Sequence, residues 1–187
     1  MKSTVRNTGL VAVVVIAVAA IVVGCGGDDD DGGETVSAET YVGEVCTAMS
    51  EMIGVVQEGQ QELSEVAQAT PEEGRDLLVG FLGDAAGAVE SARTAIEDTG
   101  APDVEGGEDV QTAITTALGD LQATFEDALT SAEDISTESE QAFQTEAQEI
   151  ATTVQGSSEE ISASLGEVGE NEELSEAAEQ AEACQEL

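Results

Sequence analysis

The hydrophobic spacing near the start of the chain is the feature that most limits what this sequence can fold into. From Val42 onward, apolar or small residues recur in alternating steps of four and three, the period of a helix that packs along one side in a bundle. The positions are Val42, Cys46, Met49, Ile53, Val56, Gln60, Leu63 and Ala67. Glutamates recur every seven residues on the opposite face, at Glu44, Glu51, Glu58 and Glu65. The spacing predicts an amphipathic first helix whose apolar line is broken only by Gln60.

A second helix is predicted from the residues at its two ends. Thr70 can cap it, Pro71 suits its first turn, and Glu73 can complete a capping box. Gly100 and Pro102 end it, because glycine favours the C-terminal cap and proline cannot continue a helix. Its apolar positions are Leu78, Leu82, Ala85, Val89, Ala92 and Ile96.

Two more long helices and one short helix follow the same period. The third carries Val110, Ile114, Ala117, Leu121, Phe125, Ala128, Ala132 and Ile135, and its start is blurred by Gly106 and Gly107. The fourth is expected to begin near Thr137 or Ser139, and it carries Phe143, Ala147, Ile150, Val154, Ile161 and Leu165. After an interruption at Gly169 to Asn171, a last helix carries Leu174, Ala178, Ala181 and Cys184. The alternation typical of strands is missing from the sequence, and so is any internal repeat.

These segments predict an all-α fold, an antiparallel up-down-up-down four-helix bundle with a short extra C-terminal helix. High net charge and few aromatic residues are also typical of disordered chains, but the regular apolar spacing favours a folded core. That core is expected to be light, because alanine fills many of its positions. Its large apolar aromatics are Phe81, Phe125 and Phe143.

The first residues have the layout of a secretory signal. Lys2 and Arg6 precede a fifteen-residue apolar run from Gly9 to Val23. The sequence Val22-Val23-Gly24-Cys25 resembles the lipobox of bacterial lipoproteins, in which the cysteine is diacylated and becomes the mature N-terminus. This resemblance implies removal of residues 1–24 and a lipid anchor on Cys25 at the extracytoplasmic face of the cell membrane. The alternative, an uncleaved anchor helix, would need about 20 apolar residues.

The sequence divides into the signal peptide at residues 1–24, a flexible acidic tether at 25–36 and a helical domain at 37–187. Residues 26–34 consist of Gly, Asp and Glu only, so nothing in them can pack in a core. The contiguous acids Asp28 to Asp31 lack the alternating ligands, the glycine and the closing glutamate of an EF-hand loop. No metal site is predicted there.

Cys46 and Cys184 are the two cysteines that remain once Cys25 is acylated. In an up-down-up-down bundle the end of the fourth helix returns beside the start of the first, so both cysteines are expected at the same end. An even number of cysteines in an exported chain favours a disulfide between them. The alternative is two buried free thiols.

Charge and missing residue types limit the possible functions. Residues 25–187 keep all forty-one acidic residues and two basic ones, Arg75 and Arg93, a formal charge of −39. Such a chain repels nucleic acid and anionic headgroups. Histidine is absent and the last lysine is Lys2, which removes imidazole bases and phosphate-loop lysines. We therefore expect no enzymatic activity and no cofactor. Carboxylate pairs are abundant, but none is marked by neighbouring aromatic residues that could stack on a sugar.

Short motifs in the helical domain resemble a diffuse group of small helical lipoproteins and secreted proteins of high-GC Gram-positive bacteria. The matching residues are Tyr41, Val45 and Cys46, then Gly100-Ala101-Pro102, and finally Ala183-Cys184 with Leu187. The resemblance implies a disulfide-pinned helical domain outside the cell membrane, and it implies nothing about catalysis.

Two classes of function remain open. The favoured one is a non-enzymatic interaction module of the cell envelope, whose acidic surface binds a cationic or polar partner. The alternative is a ligand- or cation-binding receptor component of a membrane complex, which needs a cavity between helices with converging polar groups. The sequence predicts no ligand-binding residues for such a receptor. If Gln60 faced a cavity of this kind, its position would favour the receptor alternative.

Three smaller features keep two interpretations each. Gly80, Gly83 and Gly87 indicate either a surface of close approach or a general bias to small residues. Tyr41 is interpreted as a packing residue at the helix entry more than as a ligand contact. The acidic surface indicates adaptation to high salt or simply solubility.

Overall fold

The computed structural model describes residues 35–63, 66, 69–167 and 171–186, and for residues 157–167 it describes the backbone. The predicted signal peptide, Cys25 and the tether up to Glu34 lie outside the described residues. The elements follow in the order β1 (Thr35–Val36), α1 (Ala38–Leu63), α2 (Pro71–Thr99), β2 (Ala101–Pro102), α3 (Gly107–Glu133), α4 (Glu140–Glu167), α5 (Glu172–Gln180) and a 3-10 helix (Glu182–Glu186). The predicted all-α class is confirmed.

Helix α2 is the centre of the packing. It lies between α1 and α3 and packs extensively on both. Helix α4 packs on α3 and meets α2 only slightly, where Phe143 lies close to Gly74. Helix α5 and the 3-10 helix pack on α1. Each long helix therefore buries its apolar side on a neighbour.

The ends of α2 are those predicted. The Thr70 hydroxyl accepts a hydrogen bond from the Glu73 N–H, and the Glu73 carboxylate accepts one from the Thr70 N–H at 3.0 Å. The Thr70 N–H and the Thr70 hydroxyl, which donates to the same carboxylate at 2.9 Å, hold the pKa of Glu73 below its usual value. At the other end Gly100 has φ of 82°, and its N–H donates to the Glu97 carbonyl. The capping box and the glycine cap both form as expected.

The starts of α3 and α4 are sharper than the sequence indicates. Gly106 has a left-handed φ of 73°, and α3 begins at the next residue. Helix α4 begins at Glu140, where the Ser139 hydroxyl accepts from the Ala142 N–H at 3.2 Å. The two glycines therefore mark a helix start.

The core is built mainly from α2 and α3, and the predicted apolar lines of both helices are largely confirmed. In α2 the predicted positions Leu82, Ala85, Val89, Ala92 and Ile96 are buried. In α3 the predicted positions Ile114, Ala117, Leu121, Phe125, Ala128 and Ala132 are buried, together with Ile135 just beyond the helix. Phe143 and Ile150 of α4 are buried too.

The apolar line of α1 lies about one residue away from the predicted one. The buried residues are Tyr41, Val42, Ala48 and Met52, while Cys46, Met49 and Ile53 are half-buried. The reason is that α1 packs on α2 along one side and on α5 and the 3-10 helix along another. Two contact faces widen the buried stripe beyond the single predicted line.

The predicted last helix is divided. Ala181 has an extended ψ of 118° and ends α5, so Cys184 lies in the 3-10 helix that follows. Two predicted positions of the first helix lie outside the described residues, Ala67 of its apolar line and Glu65 of the opposite face. The same holds for the side chains of Ile161 and Leu165 in the fourth helix.

Candidate functional site

The most distinctive part of the fold is the end at which the N-terminal strand enters it. We call this part the junction end and define it as residues 35–39, 101–107 and 171–180. Strands β1 and β2 pair in parallel, with Thr35 beside Ala101 and Val36 beside Pro102. The Asp103 N–H extends the pairing by donating to the Val36 carbonyl at 2.7 Å. The chain thus enters the fold beside the link between α2 and α3.

Residues Thr35 and Val36 were placed in the tether by the sequence analysis, and no strand was expected. Two-residue strands are too short for the alternation by which a strand is recognised in a sequence. The first described residue, Thr35, is the tenth residue after Cys25.

Asn171 joins α5 to the junction end. Its carbonyl oxygen accepts hydrogen bonds from the N–H groups of Glu173 at 2.9 Å and Leu174 at 3.2 Å, so it caps the helix. Its amide nitrogen donates to the Glu105 carbonyl at 3.2 Å. Asn171 is 9% exposed. Among the residues that the structure describes, it is the one buried residue whose side chain is a polar amide or carries a charge. Both the amide oxygen and the amide nitrogen of Asn171 therefore bond within the fold.

The predicted disulfide is present between Cys46 of α1 and Cys184 of the 3-10 helix. The two Cα atoms are 5.1 Å apart, and the bond links residues 138 positions apart in the sequence. The Cys184 sulfur lies 3.9 Å from the Val42 carbonyl oxygen. This is a contact and not a hydrogen bond, because an oxidised sulfur carries no proton.

A shallow depression of about 330 Å³ lies at the junction end and opens to solvent. Four carboxylates line it together with smaller polar and apolar residues: Ser37, Ala38, Glu39, Asp103, Val104, Glu173, Glu176, Ala177 and Gln180. An open depression leaves these carboxylates hydrated, and it has no enclosed apolar wall for a small ligand. It can attract cations electrostatically and offers no catalytic base other than carboxylate.

Tyr41 is a packing residue, as interpreted from the sequence, and its surroundings are apolar. The side chain is 2% exposed, and its hydroxyl is buried without a hydrogen-bond partner. Burial raises the pKa of Tyr41 to about 12. A buried hydroxyl without a partner costs free energy, so packing of the aromatic ring, and not a hydrogen bond, holds Tyr41 in place.

Gln60, the residue on which the receptor hypothesis depends, lies half-buried on α1. It lines neither the depression at the junction end nor the second depression, which lies along the start of α4 between Ser139 and Glu149. Gln60 therefore lies apart from both depressions, and the receptor hypothesis gains no support from its position.

The glycine stripe of α2 faces open space. A Cβ atom added at Gly80, Gly83 or Gly87 would meet no other heavy atom within 4 Å. Gly59 and Gly74 differ, since added Cβ atoms there would collide with Phe81 and Phe143. Close packing thus requires glycine at the latter two positions and not along the predicted stripe.

Both arginines of the helical domain are paired with acids. Arg75 contacts Asp76 at 2.9 Å, and Arg93 contacts Glu97 at 3.0 Å. The aliphatic part of Arg93 crosses Gly119 of α3, 3.9 Å from where a Cβ would lie. Both ion pairs therefore lie within α2, and the surface around them remains acidic.

In the part of the chain that the structure describes, no helix is long and apolar enough to cross a membrane. Within the same residues, no three His, Cys, Asp or Glu side chains are grouped so as to hold a metal ion. No protein-family model matches the chain, and comparisons with curated proteins and with solved structures find no similar protein.

Three residues that shape the junction end were not recognised from the sequence. Asn171 was assigned to an interruption, although Asn followed by two glutamates is a helix-start signal. The pairing of Val36 with Pro102 had no signal in the sequence. For Gly107 the signal is the pair of adjacent glycines, because glycine is typical of positions where backbones approach closely.

Proposed function

We propose that this protein is a lipid-anchored module on the extracytoplasmic face of the cell membrane, which binds a cationic or polar envelope partner through its acidic helical surface and has no enzymatic activity. The anchor is a diacylated Cys25, which follows removal of residues 1–24. Two acyl chains, each contributing about 0.8 kcal/mol per buried CH₂, hold a protein stably on a bilayer.

The Cys46–Cys184 disulfide is the observation that carries the export part of the proposal. Disulfides persist in exported proteins and are rare in reducing compartments. Here the bond connects α1 to the last described element, across nearly the whole domain. A chain that relies on such a bond belongs outside the cytoplasm, where the lipobox-like signal would place it.

The nine residues between Cys25 and Thr35, ten Cα–Cα steps in all, limit how far the domain stands from the anchor. Fully extended, they span at most about 35 Å. The flexible Gly- and Asp-rich tether expected from the sequence would span about 17 Å on average. The junction end therefore faces the membrane at short range, and its acids are repelled by anionic headgroups.

The apolar interior of the domain favours the proposal of an interaction module over the alternative of a receptor component. A receptor would need polar groups converging on an enclosed cavity. In the described residues the buried Asn171 bonds within the fold through both its amide oxygen and its amide nitrogen, and both depressions are open. The exposed sides of the helices carry acids instead, including Glu44, Glu51 and Glu58.

We also infer that the four long helices run up-down-up-down. Pairing of β1 with β2 brings the start of α1 to the end of α2. The Asn171–Glu105 hydrogen bond brings the segment after α4 to the start of α3. Both contacts, and the disulfide, agree with alternating helix directions.

The partner hypothesis is tested by crosslinking the lipid-anchored protein in intact membranes at graded concentrations of sodium chloride. The crosslinked protein is then captured and its partner identified. We expect a partner with a basic or polar surface, whose capture falls as salt rises, because screening weakens contacts between exposed charges. Replacing Glu44, Glu51 and Glu58 by Gln should also reduce capture.

A matched variant controls for loss of charge as such. Asp120, Asp127 and Asp134 are likewise exposed and seven residues apart, on and directly after α3, and their replacement by Asn removes the same charge. Capture that is insensitive to salt and to both triple substitutions would contradict the acidic-surface proposal.

A further inference from the structure

The C-terminal part of the described chain is attached to the rest of the fold in an unusual way. We call residues 171–186 the strap. Among the described residues, its two elements, α5 and the 3-10 helix, pack on α1 and on no other long helix to a comparable extent. Each of the long helices α1 to α4 instead packs on another long helix.

The strap has little of its own to hold it in place. Helix α5 has nine residues, fewer than an isolated helix needs to be stable in water. Leu174 and Ala177 are its buried apolar residues, with Ala178, Ala181 and Cys184 packed at the edge of the core. A short helix with so few buried side chains is expected to open locally at low cost.

Charge also works against attachment. The strap carries six glutamates and no basic residue, and α1, on which it packs, is acidic as well. Like charges at short range repel one another, and solvent screens this repulsion only in part. Electrostatics therefore favours separation of the strap from α1.

Two fasteners oppose that separation, one at each end of the strap. Asn171 donates to the Glu105 carbonyl at 3.2 Å, a single neutral hydrogen bond. Cys184 is joined covalently to Cys46. The disulfide is the stronger of the two, and both of its cysteines are half-buried, so a small reductant can reach them.

Beneath the strap lies the apolar line that the sequence placed on α1. The buried Val42 has its carbonyl oxygen 3.9 Å from the Cys184 sulfur, and Cys46 is one turn further along the same line. Met49 continues that line by one more turn and is half-buried. In a closed four-helix bundle this face would be covered by a long helix.

We infer that the strap is a redox-dependent cover: a dithiol reductant that cleaves Cys46–Cys184 releases residues 172–186 while α1, α2 and α3 stay folded, and so uncovers the Val42–Cys46–Met49 line. In the exchange, the dithiol loses two electrons and two protons and becomes a disulfide, while Cys46 and Cys184 each become a thiol. This inference does not depend on the lipid anchor or on the identity of a partner.

The test is hydrogen–deuterium exchange of the full chain, purified from membranes in detergent, with and without dithiothreitol. After reduction we expect amides of the strap to exchange at least about 100-fold faster, with amides of α2 and α3 changed by less than about twofold. Alkylation and mass measurement verify that both thiols are free.

A chemical probe tests the uncovering separately. Under mild peroxide, Met49 should oxidise several-fold faster after reduction, whereas Met52, 3% exposed and on the buried side of α1, should not change. A variant with both Cys46→Ser and Cys184→Ser should show the reduced pattern without any reductant.

Each other outcome overturns the inference. A strap that stays protected after complete reduction would mean that packing alone holds it. Equal acceleration in the strap, α2 and α3 would mean that the domain opens as one unit. Unchanged oxidation of Met49 would mean that the strap does not cover that face.

Discussion

At the scale of single residues, Tyr41 is the position where burial and hydrogen bonding conflict. Its hydroxyl is buried without a partner, so folding loses the hydrogen bonds that this group makes to water. We predict that Tyr41→Phe raises the free energy of unfolding by about 1 kcal/mol, because the ring is kept and the unpaired group is removed. Urea denaturation measures this. A loss of more than about 1 kcal/mol would mean that the hydroxyl has a partner such as a buried water.

The same residue predicts a dependence of stability on alkaline pH. The folded-state pKa of Tyr41 is raised from 10.0 to about 12, so the folded protein holds this proton more tightly than the unfolded one. The contribution of the neutral Tyr41 side chain to the free energy of unfolding is therefore fully present below pH 10 and is lost as the pH rises through about 12. At about 1.36 kcal/mol per pKa unit, the loss is on the order of 2 kcal/mol.

The sequence makes this titration unusually clean. Tyr41 is the single tyrosine, and no lysine follows Lys2. Short urea titrations between pH 9.5 and 12, with the Tyr41→Phe variant as control, measure the effect. If the stability of the Tyr41→Phe variant falls with pH as steeply as that of the native chain, the loss comes from another process and not from Tyr41.

At the scale of elements, the glycines separate into those that packing requires and those that it does not. A Cβ atom at Gly107 would collide with the backbone carbonyl of Pro102, whereas one at Gly87 would meet nothing. We predict that Gly107→Ala lowers the free energy of unfolding by more than about 2 kcal/mol, since backbone atoms cannot move aside cheaply. Gly87→Ala should raise it by about 0.5–1 kcal/mol through helix propensity.

Thermal unfolding of the two variants side by side checks this pair. The comparison also decides between the two interpretations of the glycine stripe on α2. Stabilisation by Gly87→Ala without loss of partner capture would favour a general bias to small residues. Lower capture in a stabilised variant would favour a surface of close approach.

The helix ends and most apolar lines could be predicted from the sequence because each depends on near neighbours. The Thr70 capping box and the buried line from Leu82 to Ile96 need only local spacing. The line of α1 was displaced because a second neighbour, α5, packs on it from another side, and local spacing contains no information on that neighbour. For the same reason Val36 and Asn171, whose partners are Pro102 and Glu105, were not recognised.

At the scale of the whole molecule, charge repulsion is the dominant electrostatic feature. The acids lie on exposed faces of the described helices, and the arginines of these helices are already paired. At physiological ionic strength the Debye length is about 8 Å, so neighbouring acids on one face still repel, while at molar salt it is about 3 Å. The folded state gains more from screening than the expanded chain does.

We therefore predict that the midpoint of thermal unfolding rises by roughly 5–10 °C from low to molar sodium chloride. Circular dichroism follows the transition. The variant with Glu44, Glu51 and Glu58 replaced by Gln should show a smaller rise, because three of the repelling charges are gone. A flat or falling midpoint would contradict the prediction and would leave solubility as the reason for the acidic surface.

In the function that we propose, Cys25 carries the lipid that attaches this domain to the membrane. The most direct measurement is mass spectrometry of the N-terminal peptide of the protein purified from membranes of a bacterium that processes lipoproteins. We expect a peptide that begins at Cys25 and carries a diacylglyceryl group, and a Cys25→Ala variant that lacks this mass and leaves the membrane fraction. A membrane-bound protein that retains residues 1–24, or a mature chain with an unmodified Cys25, would contradict the claim.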